Sequence, residues 1–132
     1  MKNPVEVLVL DDEAIVCERL KSQLEKSEFN VETFTESQLA IDRLREKTFD
    51  VVITDLKMEG PTGLDVLHFV RDHSRGTQVI IITGYASMEA AREADYTGVY
   101  DFIQKPFRLD KMAAMVKKAA KKAVKARGKA TT

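Results

Sequence analysis

Five positions along this 132-residue chain carry side chains able to act together: the adjacent acids Asp11 and Asp12, a lone Asp55, Thr83 and Lys105. Each stands at the end of a short apolar run or just beyond it. Three carboxylates gathered at one place repel and raise one another's pKa unless a cation stands among them. The ligands on offer are all oxygen, with no Cys/His cluster, so the ion that suits them is Mg2+, with Mn2+ as a substitute, and not zinc. Taken singly, each position has a plainer reading. Asp11-Asp12-Glu13 suits the solvated first turn of a helix, and Asp55 suits a turn. Their joint placement is what points to a site.

That placement depends on the elements between them. Short β-branched runs at Val5–Leu10, Val31–Phe34, Val51–Thr54, Val79–Thr83 and Tyr100–Ile103 read as five strands. Several are almost unbroken in hydrophobicity, as strands covered on both faces of a parallel sheet must be. Val16, Leu20 and Leu24 recur at helical spacing, as do Leu39 with Leu44 and Leu64, Leu67 with Val70. Met112, Val116, Ala120 and Val124 extend such a stripe through the last segment. Alternating strands and helices predict an open, doubly wound α/β sheet with right-handed crossovers. Its strands all end on one edge, where folds of this kind carry their sites. Asp11, Asp12, Asp55, Thr83 and Lys105 all fall there.

Bulk properties bound the rest. With 44% apolar residues the chain buries a core of ordinary size. The 21 basic and 21 acidic side chains cancel. From Lys105 to Thr132, however, ten Lys or Arg face one acid, a local +9 that leaves −9 for residues 1–104. The expectation is one domain over 1–124 and a basic tail over 125–132, frayed near Arg127-Gly128-Lys129. A single cysteine, Cys17, and no leader-like segment fit a reducing cytoplasm. No apolar stretch approaches the roughly 20 residues a bilayer requires, so no membrane partner is expected.

Four segments then carry a resemblance. Leu8-Val9-Leu10-Asp11-Asp12-Glu13, Val52-Ile53-Thr54-Asp55-Leu56-Lys57-Met58, Ile81-Ile82-Thr83-Gly84-Tyr85 and Tyr100-Asp101-Phe102-Ile103-Gln104-Lys105-Pro106-Phe107 closely resemble, in order and spacing, the signature segments of response-regulator receivers, the CheY-like superfamily of bacterial two-component signalling. The likeness runs from about Val5 to Val124.

The resemblance implies a flavodoxin-like fold with strand order 2-1-3-4-5 and five helices. It implies that Asp55 accepts a phosphoryl group from a sensor histidine kinase, a phosphotransfer protein or a small phosphodonor. Asp12, Asp55 and the backbone carbonyl of Lys57 would hold Mg2+ directly, and Asp11 through water. Lys105 would contact the phosphoryl group, Thr83 would donate a hydroxyl, and the Lys105-Pro106 peptide would be cis. Phosphorylation adds about −1.5 to −2 charges. By resemblance Thr83 then moves toward them, and Phe102 turns into the space it leaves. Phe102 reads otherwise as a plain core residue of the fifth strand. The segments Ser87–Tyr96, Tyr100–Ile103 and Leu109–Val116 would form the readout face for a downstream protein, an output domain or a second copy in a phosphorylation-dependent dimer. Lys57 and Tyr85 occupy positions resembling the family's tuners of phosphoryl lifetime, with Tyr85 expected to shield the acyl phosphate from water.

One departure stands out: where family members often have proline four residues after the phosphoacceptor, this chain has Glu59, with Pro61 two further on. Glu59 could compete for the metal's outer shell or sit in solvent, and solvent is the expectation. His68 and His73 lack partnering ligands and read as surface or packing residues, Cys17 as a small buried hydrophobe, and Met88, Met112 and Met115 as filling of core or interface. Two other functions compete. A haloacid dehalogenase-type phosphatase also combines Asp, Thr, Lys and Mg2+, but wants an Asp-x-Asp motif at its first strand and a cap domain. A nucleic-acid binder would use Lys117, Lys118, Lys121, Lys122, Lys125 and Lys129, yet no base-reading motif or stacking aromatic accompanies them. The expectation is a switch and not a turnover enzyme.

Overall fold

The computed structural model describes residues 4–84 and 95–130. Five strands, β1 (Glu6–Leu10), β2 (Asn30–Phe34), β3 (Val51–Asp55), β4 (Gln78–Thr83) and β5 (Val99–Gln104), pair in parallel in the order β2-β1-β3-β4-β5. Four helices lie among the described residues: α1 (Ala14–Glu25), α2 (Ser37–Glu46), α3 (Gly63–His73) and α4 (Leu109–Ala130). The fifth expected helix, between β4 and β5, falls outside the described residues.

Strand periodicity divides the core in two. Val7 and Val9 of β1, Val51 and Ile53 of β3, and Ile80 and Ile82 of β4 face α1 and α4, meeting Leu20, Leu24, Met112 and Val116. The alternate residues Leu8, Leu10, Val52, Val79 and Ile81 face α2 and α3, meeting Ala40, Ile41, Val66, Leu67 and Val70. Burying each such aliphatic side chain contributes about 1.5–3 kcal/mol. The unbroken apolar character of β3 and β4 is thus the mark of two covered faces.

Two expected core positions are exposed. Leu39 is 51% exposed, because α2 turns Ser37, Ala40 and Ile41 to the sheet instead. Val124 is 41% exposed, since α4 packs through Ala119, Ala120 and Ala123, whose small side chains bring the helix close to the sheet.

Helix α4 continues past Val124, where the basic tail is expected to begin, and reaches Ala130. Two contacts hold the extension. Arg127 Nε lies 3.1 Å from Oδ1 of the buried Asp50, whose Oδ2 accepts a hydrogen bond from the Glu6 backbone N–H at 2.8 Å. Gly76 lies against Ala126, near enough that a Cβ there would stand 3.4 Å from Ala126 Cβ, an ordinary packing distance. Removing one partner of a buried charge leaves the other unpaired. Arg127→Ala is therefore expected to lower the unfolding free energy by about 1–3 kcal/mol, with Asp50→Asn in the same chain recovering part of the loss. Denaturant titration of the three variants measures this, and additive losses would refute the pairing.

Candidate functional site

Register brings the acids together. Leu10 pairs with Thr54, so the residues that follow, Asp11 and Asp55, stand side by side at the carboxyl edge of the sheet. Both have the parity of Val7, Val9, Val51 and Ile53, the face toward α1 and α4. Asp11 is fully buried, Asp55 nearly so, and Asp12 is exposed. Carboxylate oxygens from the three lie within 4.8 Å of one another.

Lys105, just beyond β5, reaches back across this edge. Its Nζ lies 2.9 Å from Asp11 Oδ2, 3.0 Å from Asp55 Oδ2 and 3.1 Å from Glu13 Oε1. Its backbone N–H donates to the Thr83 carbonyl at 2.8 Å, which ties the ends of β4 and β5 together. The Lys105-Pro106 peptide is cis. Thr83 is buried as the last residue of β4, one beyond Ile82, the register partner of Asp55. Each of the five sequence-derived residues therefore sits at one edge.

Electrostatics at the site is set by burial opposed by pairing. Burial pushes the Asp11 carboxyl above its ordinary pKa, against the hydrogen bond from the Glu13 N–H and the nearby Lys105 ammonium. Burial would lower Lys105, yet the carboxylates of Asp11, Asp55 and Glu13 more than offset it and hold the ammonium above its ordinary range. Burial and the charge of Asp11 also raise the Cys17 thiol, which is inert packing beneath the site.

These donors fit a hard divalent ion. They are oxygens only, grouped within coordination reach. Asp11 Oδ2 is buried with the Lys105 ammonium 2.9 Å away but no well-aligned hydrogen bond, so its hydrogen-bonding capacity is left open to a cation.

Two neighbours, Glu13 and Gly63, were not singled out as site residues by sequence reasoning. Glu13 adds the third acid to Lys105. At Gly63, which opens α3, a Cβ would meet the Asp55 carbonyl oxygen at 2.3 Å and Leu56 Cα at 2.8 Å. Its N–H donates to the Leu56 carbonyl, and a Thr62–Asp65 capping box starts the helix there. A glycine just after a Thr-x-x-Asp cap was the available signal. The Lys57 N–H donates to Asp55 Oδ1 at 3.2 Å, orienting that carboxylate.

Phe102 is half-buried on the α2/α3 side, near Ile81, and meets Tyr96 edge-to-face with centroids 5.0 Å apart. The Tyr96 hydroxyl is buried with no hydrogen-bond partner among the described residues. Tyr85, Met88 and most of the segment Ser87–Tyr96 lie outside the described residues. Glu59 is exposed, and its carbonyl accepts from Ser37 Oγ at 2.9 Å, which anchors the loop. His68 contacts the Asp95 carbonyl at 2.9 Å, and His73 contacts the Phe69 carbonyl at 2.8 Å and stacks on the Phe69 ring. Among the described residues none of the three hydrogen-bonds or pairs with Asp11, Asp12, Asp55 or Lys105.

The family model for the response regulator receiver domain matches residues 7–117. The transcriptional regulatory protein FixJ of Bradyrhizobium diazoefficiens is 31% identical over 117 residues, 89% of this chain and 57% of FixJ. The transcriptional regulatory protein ZraR of Escherichia coli K12 is 32% identical over 115 residues, 87% of this chain and 26% of ZraR. The chain thus spans about a quarter to just over half of these relatives' lengths. The solution structure of the beryllofluoride-activated NtrC4 receiver domain dimer matches with a TM-score of 0.79 at 30% identity, over 89% of this chain and 98% of that one.

Proposed function

The chain belongs to the response regulator receiver domain family, and on that premise we propose that it is a switch whose charge-carrying residue is Asp55. The observation that carries this reading is the placement of the Asp55 carboxylate beside Asp11, Asp12 and the Lys105 ammonium. Receivers are signalling domains and not turnover enzymes, which leaves the phosphatase reading without support.

In the proposed reaction an Asp55 oxygen attacks the phosphorus of a phosphohistidine or small phosphodonor. A P–O bond forms, the bond to the donor breaks, and its electron pair leaves with the donor. Asp11, Asp12, Asp55 and the Lys57 carbonyl would hold Mg2+, which supplies neutralisation of the charge spread over the phosphoryl oxygens. The Lys57 N–H holds Asp55 Oδ1 in position. Lys105 must exchange one of its three carboxylate partners for a phosphoryl oxygen. Thr83 donates its hydroxyl, and its backbone link to Lys105 joins the two movements.

The signal follows from differential contact, since a ligand shifts only states it contacts differently. Thr83 leaving its buried position makes room beside Ile81, where Phe102 and Tyr96 already pack against each other. The face around β5 and the start of α4 would then change shape for a partner. Kinase, output domain and second copy are the partner classes the family suggests. The dimeric state of the NtrC4 neighbour supports the last.

Intact-mass analysis after treatment with acetyl phosphate and Mg2+ tests the proposal. One added phosphoryl group, lost when EDTA replaces the metal, is the expected result, and repeated turnover of p-nitrophenyl phosphate would point to a phosphatase instead. Once the label is established, Tyr85→Ala is expected to shorten its lifetime severalfold by admitting water. An unchanged decay rate would remove Tyr85 from the tuners.

A further inference from the structure

At the opposite end of the sheet from Asp55 lies a groove of ≈ 580 Å³, between the entries to β1 and β2 and the second half of α4. Its floor is apolar, formed by Val5, Phe29, Ala120 and Val124, and Lys117, Lys121 and Lys125 form one wall. Among the described residues no acid lines it, and none of these three lysines enters an ion pair. Apart from Lys117, this wall lies beyond the family match at 7–117, so the groove is built by the part of the helix that the family model does not describe. Just past the wall, Arg127 ties the helix to the buried Asp50.

We propose that this groove docks an acidic amphipathic helix of a partner protein. Apolar side chains at i, i+3, i+4 and i+7 would fill the floor, the mode by which grooves read helices. The lysines recur every fourth residue and rise about one turn each, so carboxylates at the same spacing on a helix laid along α4 meet them in series. Other occupants fit less well. A second copy would bring its own lysine-rich α4 against this one. A nucleic-acid backbone or a flat anionic bilayer meets the lysines but leaves the concave apolar floor uncovered.

The test uses the full chain and a fluorescent synthetic helix of about four turns, with Leu on one stripe and Glu at every fourth position beside it. Saturable binding by anisotropy is expected, with amide shifts confined to the groove. Lys117→Glu/Lys121→Glu/Lys125→Glu, and separately Val124→Glu, should each weaken it by about tenfold or more. All these side chains are exposed, and an unchanged circular dichroism spectrum confirms the fold. Asp55→Asn should bind as the parent chain does, which separates this outcome from that of the phosphorylation reading. Absence of saturable binding would overturn the proposal. So would equal binding of a peptide of the same composition with its stripe scrambled, or lysine-dependent capture of phosphatidylglycerol vesicles or duplex DNA with no capture of the helix.

Discussion

Asp55→Asn, treated with acetyl phosphate and Mg2+, is expected to stay at its unmodified mass while the parent chain gains one phosphoryl group. The loss should be complete, because an amide oxygen carries no charge with which to attack phosphorus. It should not arise from unfolding. The amide keeps an oxygen to accept the Lys57 N–H, the lost Lys105 contact leaves the ammonium its Asp11 and Glu13 partners, and one of three crowded carboxylates is removed, so stability should change by no more than about 1 kcal/mol. Stoichiometric labelling of the Asp55→Asn chain at the parent's rate would mean that another residue accepts the group, and the whole assignment of the edge would have to be redrawn.

Gly63→Ala is expected to have the next largest effect, although the residue carries no functional group. A methyl here would stand 2.3 Å from the Asp55 carbonyl oxygen and 2.8 Å from Leu56 Cα. Both are backbone atoms of the strand end that aims Asp55, so neither can swing aside as a side-chain tip could. Either α3 moves off the sheet or the end of β3 moves. Overpacking of this kind costs about 1–3 kcal/mol, which lowers Tm by several degrees. Labelling of Asp55 should slow as well, because displacing its backbone misplaces the nucleophile. A Gly63→Ala chain with the parent's Tm and labelling rate would show that the close approach of α3 is dispensable.

The groove on α4 and the Arg127–Asp50 pair bear on one question: what the second half of the last helix is for. Composition marks that segment as Ala- and Lys-rich, which reads as a solvated or fraying end. In the fold its alanines allow close packing, its arginine meets a buried carboxylate, and its lysines border an apolar hollow.

Much of the site was legible beforehand, for a reason rooted in topology. Parallel strands all end on one edge, so a polar residue directly after an apolar run has its place assigned without knowledge of any loop. Asp11, Asp12, Asp55, Thr83 and Lys105 needed only that rule, and the resemblance added their roles. What depended on contacts between distant segments was not legible. Periodicity put Leu39 and Val124 on buried stripes, but it cannot say whether another element covers that part of the helix, and among the described residues none does. It gave no hint that Glu13 shares Lys105 with Asp11 and Asp55, or that Tyr96 stands against Phe102.

The amino-acid sequence alone determined the element types, the two-sided burial of β3 and β4, and the edge on which the acids gather, because these follow from local period and strand direction. Only the tertiary structure decided which carboxylates the ammonium bridges, how closely α3 approaches Asp55, and where α4 leaves a hollow rimmed by lysines. Those depend on distances of a few ångströms between segments far apart in the chain, and no local pattern of side chains encodes them.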